Sequence, residues 1–221
     1  MALDPPLPED FPKEPYLAIQ KRVSVDLGEA HPEARREFAG GWNALRYRYL
    51  ACSEHDRDFT DLIRKHQADP DRYGQERALY GFFVTGQSAI ESLCYGLYAI
   101  ASVLRPDEFP VRDQNLKDIK WNHTAQLFRS SFPGETLTTA LAELVNSSEF
   151  KAWRDQRNIL THRATPGRGI NIGGPKDGVI EWSGIVLDQE TTASRRHWLS
   201  TVVGEILRSA DSFTAEHLAK P

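Results

Sequence analysis

The chain is predicted to fold as an all-α, up-and-down helical bundle carrying one short β-hairpin-like or ordered-loop insertion. Three observations carry that expectation. Apolar residues recur at three- and four-residue spacing over several long windows. Prolines fall between those windows. One stretch, residues 167–188, loses the helical period and is glycine-rich, then β-branched and aromatic. The 221 residues suit one domain, since single cores seldom grow beyond roughly 250–300 residues.

Residues 1–28 hold Pro5, Pro6, Pro8, Pro12 and Pro15 and show little periodicity, so they are expected to form an extended arm ahead of a helical domain over 29–221. Pro32 suits a first helical position. From it Phe38, Trp42, Leu45, Tyr49 and Cys52 continue one face, with Gly40-Gly41 marking a kink or a later start at Trp42. The strongest amphipathic segment spans Gln75 to Leu104 and ends at Arg105-Pro106. Two shorter helices are expected around Leu116–Phe128 and Thr136–Val145, separated by Ser131-Phe132-Pro133-Gly134. The next helix opens near Ser148, with Glu149 in its first turn, and runs through Trp153 to His162 or Arg163, where Pro166 and Gly167 stop it. Val179–Leu187 supplies the hairpin-like insertion, and a last helix covers Glu190–Leu218.

An arginine followed closely by a histidine is common: two such pairs at offsets of five to seven occur, Arg48 with His55 and Arg157 with His162, about as many as chance supplies. The second differs in context. It reads Arg157-Asn158-Ile159-Leu160-Thr161-His162-Arg163, and it ends a predicted helix just before a Pro/Gly break. The Arg48/His55 pair lacks the asparagine and the helix-end position and is expected on the surface.

The Arg157-Asn158-x-x-x-His162 segment resembles the signature of the HEPN superfamily (higher eukaryote and prokaryote nucleotide-binding domains). The order of elements resembles it too, with the long helix bearing Ala89-Ile90-Glu91-Ser92-Leu93 before the motif and one long helix after it. The resemblance spans about Glu33 to Leu218, but only the six-residue motif is specific. It implies a homodimer in which two motif copies form one RNA-cleaving cleft, with Arg157, Asn158 and His162 as the catalytic residues and no metal or cofactor.

The chemistry suits these side chains. RNA carries its own nucleophile, the ribose 2′-hydroxyl, so the enzyme needs a proton acceptor and a cation for the charge on pentavalent phosphorus. The ordinary pKa of an imidazole lies near neutral pH, which suits His162 to the first role, and the Arg157 guanidinium can hold two phosphate oxygens in parallel. On a helix Asn158 and His162 are i,i+4 neighbours, so Asn158 is placed to orient the imidazole or the phosphate. Glu91, Asp155 and Arg163 are candidate supporting residues: Glu91 as a buried acid facing the motif, Asp155 as a carboxylate for Arg157, Arg163 with Arg168 as loop cations near RNA. Trp153, Trp182 and Trp198 are candidates for base stacking, with core packing the expected role of at least two.

A net charge of −4 argues against a chain that coats nucleic acid but not against one that meets RNA at a few placed cations. Cys52 and Cys94 are too few for a disulfide framework or a zinc site and read as reduced core thiols. The acidic, proline-rich start lacks a signal-peptide pattern, and no window is apolar enough to span a bilayer, so a cytoplasmic location is expected. The expected partners are RNA, a second copy of the chain and an antitoxin or nucleotidyltransferase partner, with no membrane. A stress, toxin–antitoxin or antiviral defence role follows from the resemblance. The alternative is a non-catalytic helical module for dimerisation or nucleotide or partner binding.

Overall fold

Two long helices, α2 (Pro32–Lys65) and α3 (Arg72–Leu104), form the spine of the protein. The computed structural model describes residues 6–26, 30–65, 71–112, 116–161, 167–175, 178–182 and 184–218. Asp71 starts α3 by accepting the Gly74 backbone N–H on its carboxylate at 2.8 Å, a side-chain cap of an otherwise orphaned donor. The two helices run antiparallel. Trp42 of α2 packs at Gly96 of α3 and Cys52 lies at Phe82, a pairing in which one number rises as the other falls.

The glycines in α2 do not delay its start, and the helix continues through them from Pro32. A Cβ at Gly41 would lie 3.0 Å from the Gly96 backbone nitrogen, and one at Gly96 would lie 2.8 Å from the Trp42 ring. Their cost in helix propensity is offset by the close approach that lets Trp42 become fully buried.

The N-terminal segment is not the extended arm expected for 1–28. Residues Lys13–Asp26 form a helix, α1. Pro15 sits in its first turn, where a missing N–H breaks no helical bond, and Tyr16, Ile19 and Val23 line one face at helical spacing, all at 0% exposure. The Tyr16 hydroxyl donates to the Trp42 carbonyl while the Trp42 indole N–H donates to the Tyr16 carbonyl, each at 3.2 Å. Upstream, Asp10 takes two N–H groups of Arg196 at 2.7 and 2.9 Å. The segment therefore belongs to the same core as the rest.

Helices α4 (Trp121–Ser131), α5 (Thr136–Asn146), α6 (Ser148–Thr161) and α7 (Glu190–His217) complete the bundle. Between α6 and α7 lies a small antiparallel sheet of β1 (Arg168–Ile170), β2 (Ile180–Trp182) and β3 (Ile185–Val186), in that order. The protein is thus an all-α bundle with a small sheet inserted after the motif helix, as the sequence indicates. Helix α3 is the hub, contacting α2, α4, α6 and α7. Among the described residues no helix is long and apolar enough to cross a membrane.

Cys52 and Cys94 are both free and buried. Burial pushes the Cys94 thiol up to about 12, with the Glu91 charge adding to it, and burial raises Cys52 as well. Because the folded thiols are raised above the unfolded value of about 8.5, their contribution to stability is complete below that pH and declines as pH rises through it. A chromogenic disulfide reagent at pH 8 is expected to label neither thiol in the native protein and both after denaturation. Fast labelling of the native protein would contradict this burial.

Candidate functional site

Helix α6 carries the motif. Its start is fixed by Ser147, whose hydroxyl accepts the Phe150 N–H at 2.9 Å, one residue before the cap expected at Ser148. Phe150 and Trp153 are its buried residues. Trp153 is the anchor: its ring stacks on Phe82 with centroids 4.9 Å apart, and its indole N–H donates to the Phe83 carbonyl at 2.9 Å. Gly86 leaves room for that ring, since a Cβ there would lie 2.2 Å from Trp153 Cζ2.

One turn beyond Trp153 stand Arg157 and Asn158, both half-buried. The Arg157 guanidinium donates to Asn158 Oδ1 at 3.0 Å. Asn158 thus orients the arginine, a partner not foreseen from the i,i+4 spacing. The Thr161 hydroxyl donates to the carbonyls of Arg157 at 2.9 Å and Asn158 at 3.3 Å, closing the last turn of the helix. His162 and Arg163 lie outside the described residues.

Asp155 does not hold Arg157. It is exposed and faces Arg154 at 3.6 Å, while among the described residues Arg157 pairs with no carboxylate. The contrast with other half-buried arginines is clear. Arg22 is bound to Asp211 at 2.9 Å, Arg168 to Glu76 at 3.1 Å, and Arg196 to Asp10 and Asp56. Those three tie elements together. Arg157 is held by a neutral amide and, among the described residues, has no carboxylate in ion-pair range.

Several expectations need correction. Glu91 does not face the motif: it accepts the Gln87 side-chain N–H at 2.9 Å and lines a cavity with Arg48, Tyr95 and Ile119, toward α2. Arg168 is not a free loop cation, being 11% exposed and bonded to Glu76, Gln75 and the Arg72 carbonyl at the start of α3. The Arg48/His55 pair separates along α3, Arg48 reaching Ser88 and Ser92 from the surface. His55 is half-buried, its ring filling the space beside Gly81, and burial lowers its pKa against the opposing pull of Asp58 and Glu54. Trp153 and Trp182 are core residues at 2% exposure each, and Trp198 is partly buried.

The sequence reading missed Arg195. This residue and Trp198, one turn apart on α7, line a cavity of about 280 Å³ with Glu149, Ala152 and Trp153 of α6. Arg195 donates to the Thr191 carbonyl, and its Cζ lies 5.8 Å from the centre of the Phe83 ring. Burial lowers its pKa, opposed by the charge of Asp188. The only sequence signal was the Arg195-Arg196 doublet, and nothing in it tells which of the two ties down the N-terminus and which enters a cavity. Compared with protein-family models, with curated proteins and with solved structures, the chain matches none.

Proposed function

We propose that this chain is a HEPN-type, metal-independent endoribonuclease that acts as a homodimer in the cytoplasm, in a stress, toxin–antitoxin or antiviral role. The observation that supports it most is Arg157: half-buried at the end of α6, oriented by Asn158 and unpaired with any carboxylate among the described residues. A structural arginine in that position would be expected to resemble Arg22 or Arg196.

In this reading His162 accepts the proton of the ribose 2′-hydroxyl as that oxygen forms a bond to phosphorus. The bond from phosphorus to the 5′-oxygen breaks, that oxygen takes a proton, and a 2′,3′-cyclic phosphate remains. Arg157 stabilises the added charge on the phosphoryl oxygens with two parallel N–H donors. A regular helix would turn positions 157 and 162 to different sides, so in this reading a second copy brings the arginine of one chain beside the histidine of the other. An antitoxin or nucleotidyltransferase partner covering this cleft is the matching control in a toxin–antitoxin setting.

The test is cleavage of a mixed RNA pool by the purified protein in EDTA. Cutting is expected to survive the chelator, to leave cyclic-phosphate ends and to disappear in His162→Ala. A folded wild-type dimer that cuts no RNA would overturn the proposal and leave a non-catalytic binding module.

A further inference from the structure

The cavity between α6 and α7 combines groups that a phosphate-cleaving centre at Arg157 does not by itself require. Two indoles, Trp153 and Trp198, stand 5.7 Å apart with their planes tilted by 40°. The Trp153 N–H is engaged by Phe83, whereas the Trp198 N–H has no partner among the described residues. Arg195 brings a half-buried cation with no carboxylate in ion-pair range among the described residues, and it uses one N–H on its own helix, leaving other donors of the fork. Glu149 adds an acceptor-only carboxylate, one oxygen of which takes the Ser148 hydroxyl at 3.0 Å.

Size and chemistry together narrow the ligand. A volume of about 280 Å³ lies at the small end for ligand pockets, which run from roughly 300 to 1,000 Å³. An aromatic wall beside a guanidinium favours a flat ring that carries an anion. A carboxylate on the same cavity favours a ring edge that donates hydrogen bonds, and guanine presents an imino and an amino donor side by side.

We propose that this cavity is a guanine-nucleotide subsite, with the base against Trp198, its donor edge on Glu149 and its phosphate on Arg195. The proposal deepens the ribonuclease reading and rests on it in one respect: the site would hold the nucleotide next to the phosphate cut at Arg157. Trp153 and Arg157 are four residues apart on α6, a rise of about 6 Å, on one face of the helix. A strand leaving the cavity along the exposed side of α6 would reach the arginine within about two turns, giving cleavage a preference for guanosine beside the cut.

The experiment is equilibrium binding of GMP, UMP and inorganic phosphate to the full chain, read by tryptophan fluorescence and calorimetry. It is run on the wild type and on Arg157→Ala. GMP is expected to bind at least tenfold more tightly than UMP or phosphate in both. Glu149→Gln, at an exposed position, is expected to remove the preference for GMP while leaving UMP unchanged, and Arg195→Gln to weaken both nucleotides tenfold or more. If Arg195→Gln does not fold, Glu149→Gln decides the matter alone. Equal binding of GMP and UMP, no mononucleotide binding at millimolar concentration, or a GMP preference that survives Glu149→Gln would each overturn the subsite. Binding needs no cleavage, so the two readings fail separately: GMP preference in a chain that cuts no RNA removes the nuclease and keeps the pocket, and RNA cutting without it does the reverse.

Discussion

Replacing Arg157 with alanine is expected to lower RNA cleavage by about a hundredfold to a thousandfold, the usual loss when one donor to a developing oxyanion is removed. The melting temperature should scarcely move. Arg157 makes one side-chain hydrogen bond, to the neighbouring Asn158, and no ion pair among the described residues, so its removal exposes no buried partner. Arg157→Lys should recover little activity, because an ammonium cannot present two parallel donors. Asn158→Ala should cost less than Arg157→Ala, since it frees the guanidinium without removing it. Single-turnover rates on one RNA, with melting curves alongside, check all three. A large loss of stability in Arg157→Ala would make the residue structural and sink the catalytic assignment.

Trp153→Ala should be the most destabilising single change in α6, at about 3–5 kcal/mol. It deletes a ring at 2% exposure that stacks on Phe82 and bonds to Phe83, and it leaves the gap opposite Gly86 empty. For a domain of this size the melting temperature should fall by roughly 6–20 °C. Gly86→Ala attacks the same contact from α3 by overfilling it, and should cost about 1–3 kcal/mol because the indole must move. Both changes act on the seat of the motif helix, so cleavage should fall with stability, unlike in Arg157→Ala. A Trp153→Ala protein that melts like the wild type would show that α6 is held elsewhere.

The helices themselves were legible. The apolar stripe of α3 was plain from residue to residue because so much of that helix is buried against several partners at once. The start of helix α6 could be placed almost to the residue, since Ser147-Ser148-Glu149 is a local signal. Helix α1 was hidden by its prolines. Its short Tyr16/Ile19/Val23 stripe counts for little alone and becomes decisive only when Trp42 and α7 are there to receive it. Gly41 likewise looked like a break because its partner, Gly96, is 55 positions away by the numbering.

At the site the division is sharper. Residue type and spacing along one helix put Arg157 and Asn158 side by side near the end of α6, because helical geometry converts sequence offset into direction. Which carboxylates would claim which arginines was beyond that reach. Asp10, Asp56, Glu76 and Asp211 come from four different segments, and their pairing with Arg196, Arg168 and Arg22, with Arg157 left to an amide, is a property of packing across the chain. So is the cavity that joins Glu149 and Trp153 to Arg195 and Trp198. Sequence alone determined the local elements and the motif, through interactions within a few residues. Tertiary structure decided how each charge is compensated and where space remains, since both depend on groups far apart in the chain.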